Sequence, residues 1–146
     1  MKLARYGRAG KEKPALVDGT GRLRDLSEVV SDIDADVLSP RSLARLAKLK
    51  PETLPAVRGT PRIGPCFAHV GNFIAVGLNY ADHAAESGMP VPKEPVLFNK
   101  ARSCVVGPND DIMIPKGSQK TDWEVELAIV IRSEERRVGK ECVCWC

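Results

Sequence analysis

Histidine and tryptophan are scarce in this chain, with two of each, and aromatic residues make up only 5% of it. No cluster of Lys and Arg is interleaved with aromatics, and the net charge of +3 is small and scattered, so nothing points to nucleic acid as a partner. No apolar run approaches the roughly 20 residues that a membrane helix needs, which gives no reason to expect a membrane partner. The opening Met1-Lys2-Leu3-Ala4-Arg5-Tyr6 lacks an apolar stretch and a small-residue cleavage site. No signal peptide is therefore expected, and the cytoplasm is the default compartment. Internal repeats and low-complexity segments are missing too. Of the five cysteines, Cys66 and Cys104 are isolated. Cys142, Cys144 and Cys146 crowd the end of the chain, without the spaced His or Cys partner that a closed zinc site requires.

What is present is an ordinary globular composition, 43% hydrophobic and 28% charged over 146 residues. That length fits one domain, or a small domain plus part of a larger one. The first segment reads as small β structure. Lys2 to Tyr6 and Pro14 to Val17 are strands. Asp18-Gly19-Thr20-Gly21 is a turn, and Leu23 to Leu26 returns as a partner strand. Ser27 can cap a short helical turn. Ser39-Pro40 opens the clearest helix, with Ser39 as N-cap and Pro40 at the first helical position. Leu43, Leu46, Ala47 and Leu49 form its apolar face, Arg41, Arg45 and Lys48 stay wet, and Pro51 stops it. The stretch from Pro51 to Pro65, rich in proline and glycine, reads as a surface linker, with a domain boundary near residue 67.

The second segment begins with a buried strand at Phe73 to Val76. A short helix follows from Asp82 to Ser87, ended by Gly88. Further strands are expected at Val96 to Asn99, Asp111 to Ile114 and Asp122 to Ile131. The last of these carries the first chemical signal. Residues two apart on a strand share a face, so Asp122, Glu124 and Glu126 lie on one side, with Trp123, Val125 and Leu127 on the other. Carboxylates held together stay ionised only if water or a cation compensates. A hard cation such as Mg²⁺, Mn²⁺ or Ca²⁺ takes oxygen ligands of this kind. The same alternation also fits an exposed acidic edge of an antiparallel sheet. The second signal is His83 and Glu86, three apart on a helix and therefore on one face. A carboxylate beside an imidazole orients it and makes it more basic, as a general base or water-activating pair requires. An ordinary surface helix has the same spacing. His69 draws no assignment.

Taken together, four separated motifs resemble the fumarylacetoacetate hydrolase family in order and spacing. They are Gly77-Leu78-Asn79-Tyr80-Ala81-Asp82-His83-Ala84-Ala85-Glu86, Glu94-Pro95-Val96-Leu97-Phe98-Asn99-Lys100, Gly107-Pro108-Asn109-Asp110-Asp111 and Asp122-Trp123-Glu124-Val125-Glu126-Leu127-Ala128. The resemblance covers about residues 70 to 131. It implies an α+β, mostly β fold, in which a small β-rich N-terminal domain (1–67) precedes the first part of a mixed β-sheet roll (68–131). It further implies Mg²⁺ or Mn²⁺ held by Glu124 and Glu126, and a catalytic pair of His83 and Glu86 on a closing helix. Lys100 and Tyr80 become candidate substrate contacts. The expected substrates are small 2-oxo or 1,3-dicarbonyl acids, and the expected assembly is a homodimer. C–C bond hydrolysis, ureidoglycolate lyase and 2-hydroxyhepta-2,4-diene-1,7-dioate isomerase chemistry all stay open. So does a non-catalytic interaction module. The pattern implies a third metal carboxylate, an aspartate, beyond Ile131, which is absent here. Residues 132–146 instead resemble the translation of a DNA-sequencing adapter and are expected to be a non-native tail. With such an incomplete shell, weak metal binding and no turnover are expected.

Overall fold

The computed structural model describes residues 1–131 and the backbone of Cys142–Cys144. The tail expected to be non-native therefore lies almost wholly outside the described residues. Two compact units are present, one made of Met1–Ala68 with Val106–Cys146, the other of His69–Val105.

In the first unit, β1 (Lys2–Tyr6), β2 (Lys13–Val17) and β3 (Leu23–Asp25) form an antiparallel sheet in that order. The register sets Leu3 opposite Leu16 and Leu16 opposite Arg24. The β2–β3 turn is shaped by Asp18. Its carboxylate accepts hydrogen bonds from the Thr20 hydroxyl (2.7 Å), the backbone N–H groups of Thr20 and Arg22, and the Arg24 guanidinium (2.8 Å). The Thr20 bond first, with the others adding to it against partial burial, holds this carboxyl well below the usual carboxylate range. Gly21 takes φ +83°, which a side chain would resist.

Helix α1 (Pro40–Leu46) begins as the sequence implies. The Ser39 side chain accepts the Ser42 N–H at 3.3 Å, and Pro40 occupies the first turn. It buries Leu46 completely and Leu43 and Leu49 in part, whereas Ala47, expected on the apolar face, is exposed. With Leu16, Leu26, Val30, Ile33, Val37 and Leu38, Leu46 makes the core. Each fully buried leucine contributes about 1.5–3 kcal/mol of apolar transfer.

The stretch from Pro51 to Pro65, read as a surface linker, is tied to the sheet. Asp25 N–H donates to Pro55 O (2.8 Å), Val57 N–H to Leu23 O (3.0 Å) and Gly64 N–H to Arg5 O (2.8 Å). Isolated bridges join Arg24 to Ala56 and Tyr6 to Ile63. The segment thus covers edges of the sheet, which satisfies backbone groups that an open edge would leave to solvent.

Below it runs an ionic chain. Arg5, only 8% exposed, donates to both oxygens of Asp32 (2.6 and 2.9 Å) and approaches Glu12 at 3.6 Å. Glu12 receives Arg62 at 2.8 Å, and Arg62 also grips Asp110 through two hydrogen bonds. Asp110 in turn accepts the Gly107 N–H at 2.7 Å. Gly107 is buried, and a Cβ there would overlap the Ile63 carbonyl oxygen.

The second unit contains β4 (Phe73–Gly77), α2 (Ala81–Glu86) and β5 (Val96–Lys100), with β4 and β5 antiparallel. Ala75 and Ala84 are its buried hydrophobic residues along with none of its large ones, for Ile74, Val76, Leu97 and Phe98 are all substantially exposed.

Two expected strands do not form as read. Asp111 to Ile114 is not a strand, and of Asp122 to Ile131 only β6 (Ala128–Val130) is one, paired with β7 (Cys142–Cys144). Alternation marks side-chain placement, but a strand also needs a hydrogen-bonded neighbour. Residues 119–127 form no backbone–backbone hydrogen bond among the described residues.

Candidate functional site

The acid–base candidates stand on α2. β4 ends at Gly77, and the chain reaches the helix through Leu78, whose φ is +47°. A bulky non-glycine residue in that region is strained, at a cost of roughly 1–3 kcal/mol. The strain lets the chain turn sharply from strand to helix within Leu78-Asn79-Tyr80. Tyr80, 45% exposed, is the N-cap residue without offering a side-chain cap. Asp82 accepts the His83 N–H at 2.9 Å. At the other end Gly88 (φ +64°) closes the helix, its N–H donating to Ala85 O and that of Met89 to Ala84 O.

Ala84, 1% exposed, is the anchor of α2. His83 and Glu86 are both exposed, one helical step apart in the i, i+3 sense. No hydrogen bond or ion pair joins them among the described residues. Lys100, at the end of β5, sets its Nζ 5.8 Å from the centre of the Phe98 ring. A cation–π contact therefore occupies the ammonium.

The carboxylate candidates belong to the other unit. Asp122, Glu124 and Glu126 are all exposed, and Asp122 accepts the Trp123 N–H at 2.8 Å. Carboxylate oxygens suit Mg²⁺, Mn²⁺ or Ca²⁺ in kind, but two carboxylates are fewer donors than the six or so that such ions take. Among the described residues no three His, Cys, Asp or Glu side chains are grouped so as to hold a metal ion. Glu124 and Glu126 are thus two exposed carboxylates with no third such group beside them among the described residues.

Sequence reasoning missed Arg62, Glu12 and Leu78. Arg62 finds its carboxylates 48 and 50 positions away, a pairing with no local signal. It clamps Gly107-Pro108-Asn109-Asp110, a motif noticed in the sequence without a role. Burial would push Glu12 upward, but the Arg62 hydrogen bond, backbone donors and the Arg5 charge together hold it below its ordinary value. Arg62 first, then the Gly107 N–H, lower Asp110 as well.

The sheet, the strained strand-to-helix turn and the exposed residues all lie in a region with a family match. The family model described as fumarylacetoacetate (FAA) hydrolase C-terminal matches residues 72–143. That span includes Tyr80, His83, Glu86, Lys100, Glu124 and Glu126. Over this span the chain matches the fumarylacetoacetate hydrolase family, in agreement with the four sequence motifs.

Among the chain's relatives is a protein of Burkholderia cenocepacia (strain HI2424) named "Putative hydrolase", 65% identical over 140 residues. The match covers 96% of this chain and 50% of that protein. A protein of Burkholderia lata with the same name is 65% identical over 131 residues, 90% of this chain and 46% of its own. The chain thus spans about half the length of the curated relatives it matches. A solved structure, described as that of a "putative HpcE protein" from Mycobacterium smegmatis, is similar with a TM-score of 0.64 at 28% identity. It covers 89% of this chain and 46% of its own. The small antiparallel sheets and short helices of this chain make a mixed α and β fold among the described residues. Among the described residues no helix is long and apolar enough to cross a membrane.

Proposed function

We propose that this chain supplies the acid–base pair and two metal carboxylates of a hydrolase acting on small 2-oxo or 1,3-dicarbonyl acids. One observation carries the reading. The motifs bearing His83, Glu86, Glu124 and Glu126 fall in order within the span matched by the family model, and all four side chains are exposed. Glu124 and Glu126 would hold Mg²⁺, Mn²⁺ or Ca²⁺ together with donors from elsewhere. A bound divalent cation supplies Lewis-acid stabilisation of charge on the oxygens of an oxo acid.

His83 would act as the general base, with Glu86, three positions on along the same helix, orienting it or sharing its proton. In hydrolysis of a 1,3-dicarbonyl acid, the imidazole removes a proton from water as the oxygen attacks the carbonyl carbon. The C–C bond then breaks, its electron pair leaves as an enolate, and the proton passes to that carbon. Tyr80, exposed at the start of α2, can donate a hydrogen bond to substrate. Assembly as a homodimer and residence in the cytoplasm belong to the same reading.

The test is a Mn²⁺ titration of the 146-residue chain, followed by the loss of the free-ion electron paramagnetic signal. Saturable binding on the order of millimolar is expected, as suits an incomplete set of oxygen ligands. Glu124→Gln combined with Glu126→Gln is expected to abolish it. Equal affinity in wild type and double variant overturns the metal assignment.

A further inference from the structure

Arg62 joins three stretches of the first unit. Its Nε and Nη2 donate to the two carboxylate oxygens of Asp110, at 2.6 and 2.5 Å. Its Nη1 donates to Glu12 at 2.8 Å and to Gly7 O at 3.2 Å. A guanidinium held on a carboxylate by two parallel bonds is fixed in direction as well as in distance. Asp110 passes the constraint on. Its side chain accepts the Gly107 N–H at 2.7 Å, and its own N–H donates to Gly107 O at 3.1 Å, which closes the Gly107–Asp110 turn. Gly107 is buried so closely against the Ile63 carbonyl that a side chain has no room there. Arg62 and its neighbour Ile63 thus hold one turn together.

The place of that turn in the chain gives it weight. The chain passes to the second unit after Ala68 and returns to the first at Val106. Both ends of the excursion are fastened to the first unit. Ala68, 3% exposed, donates its N–H to Ile33 O at 2.8 Å, and the return is fastened one residue after Val106 by the turn that Arg62 holds. The segment before the turn carries His83 and Glu86, and the segment after it carries Glu124 and Glu126. Arg62 belongs to neither.

We propose that Arg62 is a positioning residue for the hydrolysis proposed above: acting through Asp110, it fixes the junction between the acid–base segment and the carboxylate segment. The proposal rests on that functional reading. Loosening the junction displaces the two segments against each other, and a misplacement of about 1 Å from a change far from the chemistry can cost on the order of a hundredfold in rate.

The experiment has two readouts. The first is amide exchange in the 146-residue chain. In Arg62→Gln the Gly107 and Asp110 amides are expected to exchange at least about tenfold faster, while the amides of β2 (Lys13–Val17) change by less than about threefold. Unchanged exchange at Gly107 and Asp110 overturns the proposal, because the turn is then independent of Arg62. Equal acceleration in β2 overturns it too, because Arg62 is then a general stabiliser. The second readout is kcat at room temperature in a chimera in which this chain replaces the matched span of the Burkholderia cenocepacia relative. Arg62→Gln and Asp110→Asn are each expected to lower kcat by about tenfold or more, and the double variant no further than the worse single, as residues acting as a unit do. A kcat equal to the parent's, a loss confined to KM, or losses that add in the double variant each overturns the proposal. A folded parent chimera without turnover counts against the proposed function, and the exchange result then decides by itself whether Arg62 governs the turn.

Discussion

Replacing Arg5 by Met is the sharpest structural perturbation this chain offers. Arg5 is 8% exposed and holds both oxygens of Asp32, at 2.6 and 2.9 Å, while donating to Pro65 O at 3.3 Å. Methionine keeps much of the volume and removes the charge and every donor. Breaking a buried ion pair by deleting one partner costs roughly 3–5 kcal/mol, because the other charge is left desolvated. Two features reduce that figure. The Asp32 side chain is 23% exposed and can recruit water, and Glu12 retains Arg62 at 2.8 Å. The expected loss is therefore about 3 kcal/mol, or about a 10 °C fall in Tm for a domain of this size. Urea unfolding followed by far-ultraviolet circular dichroism measures it. Adding Asp32→Asn should restore at least about 1 kcal/mol, since the charge that Arg5 balanced is then gone. A loss below about 1 kcal/mol in the single variant, or a further loss in the double, would refute the view that this network is buried and mutually dependent.

The carboxyls of Glu12 and Asp110 are held below their ordinary values, so the folded state binds fewer protons than the unfolded state in acid. Their contribution is complete above the unfolded carboxylate range and disappears as pH falls through the folded values. Melting temperature should thus drop from about pH 5 downward, and Arg62→Gln should flatten the drop; parallel curves for the two proteins would count against it. At the other extreme, burial first, then the hydrogen bond and charge of Asp25, push Tyr6 from 10.0 up to about 12. Its contribution is present below the unfolded value and is lost as pH rises through that window, and Tyr6→Phe should delete a late ultraviolet titration step. Gly107→Ala should destabilise by about 1–3 kcal/mol, because its Cβ would meet the Ile63 carbonyl and lie 2.9 Å from Asp110 Oδ2. Gly19→Ala meets nothing within 4 Å and should be close to neutral in the same melting assay.

Local chemistry made much of the N-terminal unit legible from sequence. The strand at Lys2–Tyr6, the Asp18 turn and the Ser39–Pro40 helix start all depend on neighbours within a few positions. The same holds for α2 and its Gly88 terminus, which places His83 and Glu86 on a helix as expected. Whatever depends on distant partners was not legible. Nothing in Pro-Arg-Ile-Gly-Pro announces that Arg62 reaches Asp110, 48 residues on, or that the apparent linker closes sheet edges. The alternation in 122–131 was legible, but strand formation requires a partner that alternation cannot supply. Leu78 carries no residue-type signal for its φ of +47°, a position where Gly or Asn would have given one. The candidate site was legible only as residue types in order, since the two carboxylates Glu124 and Glu126 do not by themselves make a coordination sphere.

On the proposed function, His83, Glu86, Glu124 and Glu126 perform oxo-acid hydrolysis when set within a full-length family framework. The most direct test of that reading uses the chimera in which this chain replaces the matched span of the Burkholderia cenocepacia relative. Acylpyruvate hydrolysis is followed with Mg²⁺ or Mn²⁺ by loss of the enol absorbance. Turnover is expected in the chimera, falling by roughly a hundredfold or more in His83→Gln, as loss of a general base does. It should fall at least as far in Glu124→Gln. A folded, active chimera whose kcat is unchanged by both substitutions would contradict the assignment.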